Sequence, residues 1–230
     1  MGGREAVLYN STMPFLQNNR QPEAMDWFAG APAQTLLLAE QALISGALVT
    51  RPALSPWLWL APCAAAADEV QLPPGSLRLH RDGTGLAGSA RCALPLPLPN
   101  ESIGNLILQH VLDEPGDQLL EECVRTLEPG GRVWLFTLNP WSPYRARWTG
   151  SGLSPHGPQD WRQRLRGLGL QPCAAEISYI GPVWQPEAGA EPTSVDRLRA
   201  ACLLQVEKRT AAPIPPAPVK DKWQPGAAPA

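Results

Sequence analysis

The sequence is short of charge. Only 17% of its 230 residues are Asp, Glu, Lys or Arg, and the formal net charge is −2. A protein held to nucleic acid by phosphate contacts normally carries a basic excess, and none is present. Histidine is scarce, at three residues, and the five cysteines (Cys63, Cys92, Cys123, Cys173 and Cys202) are widely spaced. No two cysteines stand at C-x2–4-C spacing and His80, His110 and His156 are isolated, so no zinc site is expected. An odd, scattered set does not describe a disulfide framework either; reduced thiols in a cytoplasmic protein are the expectation. Met1 to Ala6 lacks the apolar stretch of a signal peptide, and Ala6 stands where a myristoylation start wants Ser or Thr. The apolar run from Ala53 to Ala67 is broken by Ser55, Pro56 and Pro62 and is too short to span a bilayer. G-x-x-x-x-G-K-S/T does not occur, and the one G-x-G-x-x-G, Gly83 to Gly88, runs into a Pro-rich stretch instead of opening a helix, so an unrelated nucleotide-binding α/β protein is disfavoured.

What is plentiful is punctuation and apolar bulk. The chain has 27 prolines, 20 glycines and nine tryptophans, and 44% of it is hydrophobic. That much proline excludes a coiled coil or helical bundle. The Leu and Trp content excludes a wholly disordered chain. The length suits one domain, expected over residues 27–208, with a polar N-terminal arm over 1–26 and a Pro-rich, disordered tail over 209–230. There is no internal repeat.

Periodicity supplies the elements. Leu36, Leu37, Leu43, Ile44, Ala47 and Leu48 fall on one face of a helix over 32–48, with Pro32 in its first turn. Trp57 to Leu60 is a short buried strand, and Ala64 to Glu69 starts a short helix. Ser76 to His80 and Asn105 to Gln109 are strand candidates. Asp117 caps a helix whose inner residues are Leu119, Leu120, Cys123, Val124 and Leu127, and Pro129-Gly130-Gly131 ends it. Arg132 to Leu138 is apolar on both faces, as a covered parallel strand should be. Strand, helix and strand over 105–138 describe a βαβ unit. Gln159 to Leu168 is a further helix. Ala175 to Ile180 and Ala200 to Val206 are two last strands, paired as an antiparallel hairpin, with 181–199 an insertion between them.

Leu98-Pro99-Asn100-Glu101-Ser102-Ile103, Leu106 to Asp113, Leu127-Glu128-Pro129-Gly130-Gly131-Arg132-Val133 and Asn139-Pro140-Trp141-Ser142 follow one another in a fixed order. Together they resemble the class I S-adenosylmethionine-dependent methyltransferases of the type 11 kind. In that family an L-P-x-x-x-x-S-F-D loop precedes the fourth strand, an H-V-L-E-H-like turn follows it, and L-x-P-G-G leads into the fifth. Trp27-Phe28 and the Leu37 to Ala42 segment, with Glu40-Gln41, are similar to a bacterial subgroup that has a helix ahead of the first strand. The resemblance implies a doubly wound α/β fold, a seven-stranded, mostly parallel sheet with S-adenosylmethionine at the carboxyl ends of the strands.

On that resemblance the cofactor candidates are Ala61, Cys63 and Ala64 in the turn after strand one, Asp82 for the ribose hydroxyls, Arg91 near the adenine, and Gln109 at the end of strand four. The sequence departs from the family in the first turn: Leu60-Ala61-Pro62-Cys63-Ala64-Ala65-Ala66 stands where D-x-G-x-G-x-G is expected, without a glycine. Gly104 replaces the Asp of the L-P-x-x-x-x-S-F-D loop. His110 is the candidate for contact with the methyl acceptor or for taking its proton, against a packing role at a strand–helix junction. Asn139 and Trp141 could line the acceptor pocket or form a plain turn. Cys63 has no charged neighbour in sequence and reads as inert. Arg145, Arg147, Arg162, Arg164 and Arg166 read as a solvated face, and Trp223 as a lone anchor in the tail. Two functions remain open: methyl transfer to an acceptor, small or macromolecular, that the sequence does not specify, or a non-catalytic pseudo-methyltransferase serving as a scaffold or regulatory module.

Overall fold

A computed structural model of the chain describes residues 22–50, 56–67, 70–83, 85–112, 117–173, 177–183 and 196–209. The N-terminal residues 1–21, most of the 181–199 insertion, the tail with Trp223, and Asp113 lie outside this set.

Two helices open the described chain, α1 (Pro22–Ala29) and α2 (Ala31–Thr50). Strand β1 (Trp57–Ala61), a single 3-10 turn (Ala64–Ala67), β2 (Leu77–Asp82), β3 (Gly85–Gly88) and β4 (Ile103–Gln109) follow. Then come α3 (Gln118–Thr126), β5 (Leu127–Leu138), a 3-10 turn (Pro143–Arg147), α4 (Pro158–Gly167), β6 (Leu170–Pro172), β7 (Ser178–Ile180) and β8 (Ala201–Lys208). The strands form one sheet in the order β3-β2-β1-β4-β5-β8-β6, with β7 also paired to β8.

Strands β2, β1, β4 and β5 run parallel at the centre. The outer strands are antiparallel. The doubly wound α/β expectation is therefore met in the parallel centre, but the sheet has eight strands where seven were expected. The strand off the seven-strand path is β7, and β3 returns along β2 as a hairpin instead of crossing over through a helix. Gly88, at φ 137°, makes that hairpin close: a Cβ there would lie 2.3 Å from the Arg78 carbonyl oxygen. The two last strands pair antiparallel, Ser178–Ile180 against Ala201–Leu203, as anticipated.

Alternation along the strands splits the core into two layers. Leu58, Leu60, Leu106, Leu108, Val133 and Leu135 face α3 and α4. Trp57, Trp59, Ile107, Trp134 and Phe136 face α1 and α2. Helix α2 contributes Ala33, Leu36, Leu37, Glu40 and Ile44 to the interior. Leu43, expected inside, is 41% exposed, because the buried stripe is drawn by Ala33 and Glu40 rather than by Leu43. Among the described residues α2 is the one helix long and apolar enough to cross a membrane; a third of it is buried against the sheet.

Asp117 caps α3 as expected, its carboxylate accepting the Leu119 N–H at 2.8 Å. The helix ends at Thr126, earlier than the Pro-Gly-Gly signal suggests. Leu127 already pairs with Ile103, and Pro129-Gly130-Gly131 forms the irregular start of β5. Helix α1 begins at Pro22, five residues inside the stretch expected to be an arm.

Candidate functional site

In an open α/β sheet a ligand site forms at the carboxyl edge, where connections leave neighbouring strands in opposite directions. Here that point lies between β1 and β4: the chain leaves β1 toward β2 and β3, then returns on the far side to β4. Four expected cofactor residues stand at this edge. Ala61 is the last residue of β1 and is buried, and Cys63 is half-buried just beyond it. Ala64 begins the 3-10 turn and is exposed. Gln109 ends β4 and is buried completely. Asp82 is the last residue of β2, as a ribose-binding acid should be; its half-exposed carboxylate lies 3.3 Å from the exposed Arg91 guanidinium.

The polar centre of the edge is a group of residues that sequence periodicity did not assemble. Glu40 is the single charged residue of α2 and has no solvent exposure. Its Oε1 lies 2.7 Å from His110 Nε2 and its Oε2 accepts from Gln109 Nε2 at 2.8 Å. Gln109 Oε1 in turn accepts from Trp59 Nε1 at 3.2 Å. Phe28 stacks on the His110 ring, with centroids 4.8 Å apart and an interplanar angle of 22°. His110 itself sits at φ 51°, a conformation that costs a non-glycine residue about 1–3 kcal/mol. Its N–H bonds to the Phe136 carbonyl at 3.0 Å, so the turn is held by β5. A buried carboxylate and a strained histidine are each expensive, and both fall at the topological switch point. The sequence signal for Glu40 was present: a lone acid at i+3 and i+4 from Leu37 and Leu36, on the inner stripe of an otherwise uncharged helix.

Other polar residues at the edge are already bonded within the chain. Arg81 donates from Nε to the Val111 carbonyl at 2.9 Å and pairs with Asp117 at 2.7 Å, joining the end of β2 to the segment after β4. Gln41 donates to the Ala66 carbonyl at 2.7 Å, tying α2 to the turn after β1. Asn139 is buried, with its amide nitrogen donating to the carbonyls of Arg197 and Arg199 at 2.8 Å and Oδ1 accepting the Trp141 N–H at 3.2 Å. It fastens the end of β5 to the start of β8. Trp141 is 60% exposed beside it. Of the five arginines expected on a solvated face, Arg145, Arg147 and Arg166 are exposed, and Arg164 is paired with Glu121. No group of three or more metal-ligating side chains occurs among the described residues.

The S-adenosyl group fits this edge at two of its three parts. After Pro62 the turn carries only Cys63 and alanines, so a ligand would meet short side chains there although no glycine is present. Asp82 offers a half-exposed carboxylate at the end of β2. At the adenine end, the β2–β3 hairpin and the Leu86–Cys92 bridge take the place of a crossover.

No protein-family model and no curated protein matches the sequence. Solved structures do. A chain of the complex between the Haloferax volcanii Trm112 methyltransferase activator and its methyltransferase aligns with a TM-score of 0.51 and 16% identity, over 82% of this chain and 98% of that one. The CurJ carbon methyltransferase aligns with a TM-score of 0.50 and 13% identity, over 83% of this chain and 60% of that one. A methyltransferase of Archaeoglobus fulgidus, dependent on S-adenosylmethionine, gives a TM-score of 0.47 and 12% identity, over 80% of this chain and 97% of that one. At such identities the likeness concerns architecture: the chain has the fold of the class I S-adenosylmethionine-dependent methyltransferases.

Proposed function

We propose that the chain is a cytoplasmic S-adenosylmethionine-dependent methyltransferase whose reaction centre lies at the carboxyl edge of β1 and β4. The coincidence of a strained, carboxylate-paired histidine with the switch point of a methyltransferase-like sheet carries this reading. The backbone from Ala61 to Ala64 with Cys63 would hold the methionine part and Asp82 the ribose, with Arg91 toward the base and Gln109 at the inner wall. The bound cofactor supplies an electrophilic methyl group, so the protein contributes chiefly position. The Trp141 ring, exposed at the end of β5, is suited to cover an acceptor.

The test is thermal unfolding with and without S-adenosylhomocysteine. Ligand at 100 times its dissociation constant adds about 2.7 kcal/mol, a rise of roughly 5–10 °C for a domain of this size. Asp82→Asn should cut the rise, because a lost hydrogen bond to a charged group is worth about 1.5–3 kcal/mol. A flat response at millimolar ligand, in a protein that melts cooperatively, refutes the proposal.

A second reading, the non-catalytic scaffold, is favoured by a specific observation. Arg81 bridges the carboxyl edge internally and Asp82 already pairs with Arg91. On that reading the chain keeps the fold and satisfies its own edge, and the flat response is the expected result.

A further inference from the structure

The hydrogen bonds around Glu40 have a direction that can be worked out from donor and acceptor chemistry alone. An indole N–H can only donate, so the group facing Trp59 Nε1 must be an oxygen. Gln109 therefore presents Oε1 to Trp59 and its NH2 to Glu40. Glu40 Oε2 must then accept. As a carboxylate, Glu40 can only accept at its other oxygen as well. The nitrogen of His110 that faces Oε1, Nε2, must in that case carry a hydrogen.

We propose that Trp59, Gln109 and Glu40 are positioning residues that fix the tautomer of His110, placing the proton of its neutral ring on Nε2 and leaving Nδ1 as the proton-accepting atom. The inference rests on the methyl-transfer reading only for the use made of that atom, which is to take the proton from an O–H or N–H group on the methyl acceptor. In that step the acceptor's O–H or N–H bond breaks and an Nδ1–H bond forms. The resulting imidazolium lies against the Glu40 carboxylate, whose charge compensates it. The acceptor class implied is a hydroxyl or amine that must lose a proton, rather than an already anionic group.

The same logic predicts what an isosteric change does. In Glu40→Gln the new side chain must still offer an oxygen to the Gln109 NH2. Its own NH2 then faces His110 Nε2, which has to become an acceptor. The ring proton moves to Nδ1, and the accepting atom at that position disappears without loss of volume or shape.

The experiment is a long-range proton–nitrogen correlation spectrum of the 15N-labelled full chain, recorded at alkaline pH. The chain has only three histidines, and His110 is assigned by the signal lost in His110→Asn. The expected result is a ring proton on Nε2 in the unsubstituted chain and on Nδ1 in Glu40→Gln. A ring proton on Nδ1 in the unsubstituted chain overturns the proposal, as does an unchanged tautomer in a folded Glu40→Gln. Should that variant fail to fold, the unsubstituted spectrum decides by itself. No nucleoside is needed, so failure of S-adenosylhomocysteine to bind would sink the methyl-transfer reading while leaving the tautomer result standing, and the reverse outcome would do the opposite.

Discussion

Replacing Glu40 by alanine tests how much of the molecule depends on one buried acid. The change deletes the acceptor of two hydrogen bonds, one from Gln109 at 2.8 Å and one shared with His110 at 2.7 Å, in a place without solvent exposure. Each hydrogen bond to a charged group is worth about 1.5–3 kcal/mol, and breaking a buried pair from one side costs about 3–5 kcal/mol, because the remaining partner stays buried and unpaired. Against this, the burial penalty of the Glu40 charge itself is relieved, so the lower half of the range, about 3–4 kcal/mol, is the expected loss. For a fold whose total stability is roughly 5–15 kcal/mol, that is a large fraction. The isosteric Glu40→Gln keeps both contacts and should cost about 1–2 kcal/mol. Urea denaturation followed by tryptophan fluorescence suits the measurement, since Trp59 is part of the network. The reasoning fails if Glu40→Ala costs less than about 1 kcal/mol, the value of an exposed ion pair, or if Glu40→Gln costs as much as Glu40→Ala.

Three further outcomes follow from other parts of the fold. Thr137 is buried in β5 with an Oγ1 that has no hydrogen-bond partner among the described residues; Thr137→Val should therefore be neutral or stabilise by about 1 kcal/mol in urea, and a loss of more than that would reveal a partner. Burial pushes the Cys202 thiol up to about 12 and raises the Cys123 thiol well above its ordinary range, with the Asp117 and Glu122 carboxylates adding to the second. Both should resist alkylation at pH 8 until the chain is unfolded, and labelling of either in the native protein by mass spectrometry would contradict their burial. The Glu122 carboxyl is held below the usual carboxylate range, chiefly by its hydrogen bond from Arg125, with the Leu96 N–H adding to the effect. Because the folded value is the depressed one, its stabilisation is complete above the unfolded value of about 4.3 and is lost as pH falls through the lower folded value. Glu122→Gln should accordingly lose less stability between pH 5 and pH 3 than the unsubstituted chain, as read from urea midpoints; equal losses would remove Glu122 from the acid response.

Sequence reasoning reached the centre of the sheet because the signals there are local. Trp57–Leu60, Asn105–Gln109 and Arg132–Leu138 are short apolar runs bounded by breakers, and each became a strand. The capping Asp117 marked its helix to the residue. The hairpin at Gly85–Gly88 was missed, since a four-residue strand with glycine at both ends has neither alternation nor β-branched residues to show it. What fixes it is tertiary: the backbone of Arg78 and Leu79 leaves no room for a Cβ at Gly88. The candidate site divides in the same way. Asp82 and Gln109 could be placed because each ends a legible strand. Glu40 lies 69 and 70 residues from the partners that give it meaning, and no local pattern reports such a contact. Asn139 kept its position but not its expected surroundings, because the carbonyls of Arg197 and Arg199 that consume its amide come from the far end of the chain.

The internal bonding of the carboxyl edge has a common physical origin. Between β1 and β4 the described connections are a single 3-10 turn, a tight hairpin and an extended loop. Polar groups at the ends of parallel strands still have to be satisfied when they are buried. The chain meets that demand from elsewhere: Gln41 of α2 bonds the turn after β1, Glu40 of α2 bonds the end of β4, and Arg81 joins β2 to the segment after β4. Glu40 is thus a carboxylate delivered to the end of β4 from a helix on the tryptophan-lined face of the sheet. The N-terminal helices complete the edge itself, and removing residues 22–50 should expose Gln109 and His110 and uncover Ile107, Trp134 and Phe136, read as a red-shifted tryptophan fluorescence and a lower urea midpoint.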